Sequence, residues 1–253
     1  MEHALWFTAL LNKLLAGVVS PLLAAIGFPA ADPAFPIPDY ISMEILVILL
    51  ILAAVLLLRR GLSIENPGKF QHIMEEVLGF VQTTADEIIG PGGRRYVPML
   101  GTLFIFVAVC NLLSLFPALG VPNSELNIEV SPTGLIQSTL GCALAAYVYY
   151  NYHGFRHHGV GYLKHLWGPI WWVGFLMFPI EVFSGAFRML SLSVRLYANM
   201  LVGGILDHVF GSMIPIAVPV LFMALHIFVS LLQAYIFLLL PAIYISMAVA
   251  EEH

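Results

Sequence analysis

Apolar residues fill most of this chain in long continuous stretches, which polar residues interrupt at only a few places. Five stretches have the length, about 20 apolar residues, that an α-helix needs to cross a bilayer: 41–58, 97–117, 133–152, 171–210 and 216–249. The last two predict long, tilted helices joined by a turn that contains prolines. The pattern therefore predicts an all-α polytopic membrane protein with five membrane-inserted helices.

Residues 64–90 follow a different pattern, in which apolar and polar positions recur with the period of a helix. Phe70 and Val77 fall on one face, and Glu75 and Glu76 fall largely on the other. This pattern predicts a cytoplasmic amphipathic helix that lies on the membrane surface or against a partner protein.

The first 40 residues form a separate N-terminal segment that we expect to lie outside the cytoplasm. Its apolar run, residues 4–29, is interrupted by Asn12 and Lys13. The run is compatible with an interfacial helix, a poor membrane span or a signal sequence, although the positive charge that starts a signal peptide is missing. A proline-rich linker follows, and residues 41–253 are interpreted as a single membrane domain.

Composition separates this chain from soluble proteins and from membrane β-barrels. The 253 residues are 60% hydrophobic and 10% charged, whereas soluble domains carry about a quarter charged residues. The mean hydropathy is +0.92. Barrel strands alternate apolar and polar residues over about ten positions, and the apolar stretches here are continuous.

The sequence contains no Gly-rich phosphate-binding motif, so we expect no nucleotide, cofactor or nucleic-acid site in it. Four histidines, at positions 153, 157, 158 and 165, lie in a glycine-rich connection. We interpret this segment as a solvated loop and predict no metal site.

Basic residues predict the orientation of the chain in the membrane. Seven of them fall in connections that alternating topology assigns to one side: Arg59, Arg60, Lys69, Arg94, Arg95, Arg156 and Lys164. The positive-inside rule places these connections in the cytoplasm. The N-terminus is then outside and the C-terminus is cytoplasmic.

A polar stripe lies along one face of the fourth predicted span. Its members are spaced three or four residues apart: Glu181, Ser184, Arg188, Ser191, Arg195 and Asn199. An arginine at the centre of a bilayer costs about 2.5 to 3.5 kcal/mol by insertion scales, so Arg195 needs an anionic partner or a water-filled cavity. No carboxylate of its own helix can face it, and we expect the partner on another protein.

The last span repeats this pattern with His226, Ser230 and Gln233 on one face, and Asn111 in the second span can join them. Such residues are also found as hydrogen-bonding contacts between membrane helices, and His226 is compatible with simple packing. From the residues alone, an ion channel, a secondary transporter with a midplane ion site and a membrane scaffold all remain open.

Several motifs resemble the a subunits of bacterial F-type ATP synthases. They are LSLSVRLYANMLVGG at 190–204, PGKFQ at 67–71, HIFVSLLQAYIFLLLPAIYISMA at 226–248, and the closing EEH. The resemblance implies a subunit of the bacterial inner membrane that is not catalytic by itself. Its implied partners are a ring of c-type hairpin subunits with membrane carboxylates, b-type subunits of the peripheral stalk, and the lipid bilayer.

The resemblance also implies a mechanism, in which Arg195 is the essential charge barrier between two offset half-channels for protons. The predicted topology then assigns the polar residues to these half-channels. The cytoplasmic half-channel is expected to contain Glu181, Ser184, Arg188, Ser191 and Asn199. The outer half-channel is expected to contain Asn111, Asp207, His226, Ser230 and Gln233.

One position departs from the family pattern. Some members carry a carboxylate where this chain has Gly204, and Asp207 or His208 is a candidate replacement one turn further on. The choice between protons and sodium ions is left open, because it depends largely on the ring.

Overall fold

The computed structural model describes residues 6–27, 32–33, 35–90, 92–113, 133, 136–159, 161, 171–213 and 217–249. The regular elements within these ranges are helices. They are α1 (Trp6–Ile26), α2 (Asp39–Gly61), α3 (Lys69–Ile89), a short 3₁₀ turn (Gly93–Arg95), α4 (Val97–Leu113), α5 (Ile136–His158), α6 (Trp171–Met213) and α7 (Ala217–Val249). The predicted all-α fold class is confirmed.

Helices α2, α6 and α7 begin and end within three residues of the predicted spans. Continuous apolar composition therefore located these helices well. Within the described part of the chain, four segments are long and apolar enough to cross a membrane: Phe7–Ala25, Asp39–Gly61, Gly174–Gly203 and Val220–Val249. Helix α4 is shorter, and the remainder of its predicted span lies outside the described residues.

The structure corrects two predicted boundaries. Helix α3 begins at Lys69 rather than near residue 64, because Pro67 and an extended Gly68 precede it. Helix α5 continues to His158, so three of the four histidines expected in a solvated loop are helical. Basic residues in the last turn of α5 favour this extension, since they complement the negative end of the helix dipole. His165 lies outside the described residues.

The chain divides into two compact units. The first consists of Met1–Leu57, Ala108–Ser138 and Tyr197–Leu231. In it, the buried amide of Asn12 accepts a hydrogen bond from the Ile37 N–H at 3.0 Å and donates one to the Ile37 carbonyl at 2.9 Å. This contact ties α1 to the segment that leads into α2, beside the buried side chains of Phe7 and Leu11.

The second unit consists of Leu58–Val107, Thr139–Leu196 and Leu232–His253. Its core joins residues of α3, α4, α5 and α7, among them Val81, Leu100, Tyr150 and Leu238. A sharp turn connects α3 to α4 at Gly93, where an added Cβ would lie 2.6 Å from the carbonyl oxygen of Ala85. This position therefore requires glycine.

Candidate functional site

Two members of the polar stripe on α6 form an ion pair in the second unit. A guanidinium nitrogen of Arg188 lies 3.6 Å from a carboxylate oxygen of Glu181, and both side chains are partly exposed. The two residues are seven positions apart, so they face each other across two turns of one helix.

The guanidinium of Arg188 also lies over an aromatic ring of α7. Its central carbon is 5.5 Å from the centre of the Tyr244 ring, which is a cation–π distance. The guanidinium of Arg188 thus contacts both the carboxylate of Glu181 and the aromatic face of Tyr244. The charge of Arg188 is therefore compensated within its own chain.

Arg195 differs from Arg188 in both exposure and partners. Its side chain is exposed, and it forms no ion pair or hydrogen bond with any residue that the structure describes. It borders an exposed apolar face of α6 that includes Phe187, Leu190 and Val194. Both observations agree with an anionic partner on another protein.

A buried hydroxyl pair joins α5 to α6 in the second unit. The hydroxyl oxygens of Thr139 and Ser193 lie 2.9 Å apart, and neither residue is accessible to solvent. Sequence reasoning missed both residues. Small hydroxyl residues are common in membrane helices, and only the packing of the two helices brings these two together.

Asn111 is the centre of a hydrogen-bond network in the first unit. Its fully buried amide donates to the carbonyl oxygen of Ser230 at 3.3 Å and accepts from the Thr133 hydroxyl at 3.0 Å. The structure thus brings together two predicted site residues, Asn111 and Ser230. Thr133 joins them without any prior signal in the sequence.

A cavity of about 170 Å³ lies in the same unit as this network, between α6 and α7. Asn199 and His226 are its polar lining residues, and the rest of the wall is mostly aliphatic. A water molecule occupies about 30 Å³, so the volume is sufficient for a few waters, whose polar partners would be Asn199 and His226. The cavity groups Asn199 with His226, whereas the predicted topology assigns them to different half-channels.

The ring of His226 packs directly against Gly203. A Cβ added at Gly203 would lie 2.7 Å from Nδ1 of His226, closer than such contacts occur in proteins. Glycine at this position therefore allows α6 and the imidazole to approach each other. Sequence reasoning used Gly203 only as part of a motif.

Several buried polar atoms have no hydrogen-bond partner within the described part of the chain, among them Ser138 Oγ, Asn199 Nδ2, Ser230 Oγ and Gln233 Oε1. Buried polar groups in native proteins are nearly always paired, with protein or with water. Three of these four atoms belong to predicted site residues. Their environment is therefore suited to ordered water.

The other predicted site residues lie along α6. Ser184 is half-buried and Ser191 is exposed, both on α6. The backbone of Asp207 and His208 is helical, and their side chains lie outside the described part. Within the described residues, no group of three His, Cys, Asp or Glu side chains is arranged to hold a metal ion.

Comparison with known proteins shows that this chain matches a protein family. The model of the family described as "ATP synthase A chain" matches residues 41–246. The chain is 43% identical to ATP synthase subunit a of Koribacter versatilis (strain Ellin345), with 100% of both chains covered. It is 40% identical to ATP synthase subunit a of Solibacter usitatus (strain Ellin6076), over 96% of this chain and 99% of the relative.

A third relative, ATP synthase subunit a of Geobacter sulfurreducens, is 35% identical over 85% of this chain and 89% of its own length. The family match and the apolar helices together make the chain a multi-pass protein of the bacterial inner membrane. The chain belongs to the ATP synthase A chain family, and it is a proton-translocating membrane subunit of an ATP synthase complex.

Proposed function

We propose that this chain is the stator half of a rotary proton pathway, in which Arg195 is the charge barrier between two offset half-channels. The chain itself carries out no ATP chemistry. The observation that carries the proposal is the contrast on α6: Arg188 is compensated within the chain, and the exposed Arg195 has no partner among the described residues.

The missing partner of Arg195 is a membrane carboxylate on a rotating ring of c-type hairpin subunits. At about 4 Å and an effective dielectric constant near 20, such a pair attracts with about 4 kcal/mol. This attraction favours release of the carboxylate's proton as each ring subunit reaches Arg195. A guanidinium keeps its charge and does not relay protons, so a proton cannot cross directly from one half-channel to the other.

The outer half-channel includes the cavity beside His226 and the Asn111 network. Imidazole exchanges protons readily near neutral pH, and water in the cavity would connect it to neighbouring polar groups. Ser230, Gln233 and Asp207 remain predicted members. We assign Asn199 to this half-channel as well, because it lines the same cavity as His226.

The cytoplasmic half-channel includes Glu181, Ser184, Arg188 and Ser191. The Glu181–Arg188 pair supplies a carboxylate and a guanidinium to this half-channel. This assignment places the N-terminus outside and the C-terminus in the cytoplasm. The b-type subunits of the stalk then contact the acidic exposed face of α3, which includes Glu75 and Glu76.

The test compares wild type with Arg195→Ala in inverted membrane vesicles that contain the complete ATP synthase. ATP-driven acidification is recorded first, and passive proton leak is recorded after the soluble head is removed. We expect Arg195→Ala to abolish pumping and to retain or raise the leak. Arg188→Ala is the matched control, and we expect it to slow pumping without a raised leak. Normal pumping by Arg195→Ala would refute the proposal.

A further inference from the structure

Aromatic side chains surround His153 near the C-terminal end of α5. The ring centres of Tyr149, Tyr96 and Tyr152 lie 4.5, 5.0 and 5.4 Å from the centre of the imidazole. Tyr96 belongs to the turn before α4, so the cluster joins the ends of two helices. Tyrosine is enriched where membrane helices meet the headgroup region, and the cluster is therefore suited to that depth.

Two arginines flank this aromatic cluster. Arg156 lies one turn beyond His153 and donates from Nη1 to the hydroxyl of Tyr152 at 3.3 Å. Arg95 directly precedes Tyr96 in the chain. Burial lowers the pKa of His153, and the charges of Arg156 and Arg95 lower it further. The guanidinium groups of Arg95 and Arg156 are thus both close enough to His153 to influence its ring.

Neither of these arginines is neutralised within the described part of the chain. Arg94, which precedes Arg95 in the chain, is by contrast paired, because its guanidinium lies 3.6 Å from a carboxylate oxygen of Asp86. Arg95 and Arg156 are exposed, and no described carboxylate lies within ion-pair distance of either. The surface around Arg95 and Arg156 is therefore positively charged and can bind an anion from outside the chain.

An apolar stripe on α5 leads to this charge. Leu144, Val148 and Tyr152 are 47%, 58% and 56% exposed, and each is one turn from the next. Arg156 is the next position on the same face. An acyl chain that lies along the stripe would place its headgroup beside Arg156.

We propose that Arg95, Arg156 and the tyrosines between them bind the phosphate of an anionic phospholipid, whose acyl chain packs along Leu144 and Val148. Basic pockets between membrane helices commonly hold such headgroups. The order of the groups favours a lipid over a soluble anion, because apolar and basic surfaces adjoin on one helix face. The inference requires α5 to cross the membrane, and it does not depend on the role of Arg195.

The test uses the intact complex in bilayers that contain a photoactivatable phospholipid with a diazirine in the acyl chain. Phosphatidylglycerol and phosphatidylcholine versions of the probe are compared, and crosslinked peptides are mapped by mass spectrometry. We expect crosslinks within residues 144–156 that favour phosphatidylglycerol. In Arg95→Gln/Arg156→Gln this preference should fall by about fivefold for each arginine removed.

Arg59→Gln/Arg60→Gln is the matched control, because it removes two exposed charges from the end of another membrane helix. We expect it to leave the preference at residues 144–156 unchanged. Equal crosslinking by both headgroups in wild type would overturn the proposal, and so would an equal loss in both double variants. A protein segment crosslinked at these residues in place of lipid would also overturn it.

Discussion

Replacement of Gly203 by alanine tests whether the position of the His226 ring controls proton transfer. The added Cβ would lie 2.7 Å from Nδ1, and Cε1 is closer still. Real Cβ atoms essentially never approach another heavy atom within 3.0 Å, so the imidazole must shift. His226 is only 8% exposed, and the space open to its imidazole is the adjoining cavity of about 170 Å³. Gly203→Ala should therefore push the ring into that cavity.

Overpacking of this kind costs about 1 to 3 kcal/mol. If this cost falls on the ring orientation that transfers protons, the population of that orientation drops by about 5- to 150-fold. We expect ATP-driven acidification of inverted vesicles by Gly203→Ala to slow within this range. The passive leak should not rise, because Arg195 is untouched.

Gly101→Ala is the matched control, since its added Cβ would meet only a methyl group of Val81 at 3.8 Å, an ordinary contact. We expect it to pump like wild type. The amount of assembled complex is measured by immunoblot for both variants. If Gly203→Ala assembles normally and pumps at the wild-type rate, then either the ring tolerates the shift or His226 is not on the proton path, and the reasoning fails.

Three further substitutions test individual contacts. Thr139→Val leaves the buried hydroxyl of Ser193 without its partner. We expect thermal unfolding to show a loss of about 1 to 3 kcal/mol in the stability of the complex. Adding Ser193→Ala to Thr139→Val should cause little further loss of stability. Asn111→Leu removes the described hydrogen bonds to Ser230 and Thr133 and should slow pumping at normal assembly. An unchanged pumping rate would exclude Asn111 from the proton path. Glu181→Gln removes the negative partner of Arg188 and should slow pumping several-fold without raising the leak, as measured in stripped vesicles.

The helices were predictable because each depends on a local property of the chain. Continuous apolar composition located α6 and α7, and the 3.6-residue period of the helix was enough to place Arg188, Arg195 and Asn199 on one face. The start of α3 was missed because apolar periodicity extends past Pro67, where the backbone cannot stay helical.

Contacts between helices were not predictable, because they depend on rotation and tilt that hydropathy does not encode. Nothing local distinguishes Thr139 or Ser193 from other hydroxyl residues, and their pairing appears only when α5 and α6 pack. Asn199 shares the spacing of the stripe, yet the packing of α6 against α7 places it in the cavity with His226. Spacing identifies which residues share a helix face, and packing decides what that face meets.

The two arginines of α6 share one helix face but differ in their partners, and this difference bears on the proposed function. Arg188 and Arg195 are seven residues apart, about 10.5 Å along the helix, and they face the same direction. Under the proposed function, a permanent partner such as Glu181 would hold Arg195 equally well, but it would also cancel the charge that attracts each arriving carboxylate. An arginine without a partner among the described residues costs stability until the proposed ring of c-type subunits supplies one. We propose that this cost follows from a charge that binds and releases successive carboxylates, and that compensation among the described residues stops at Arg188 for this reason.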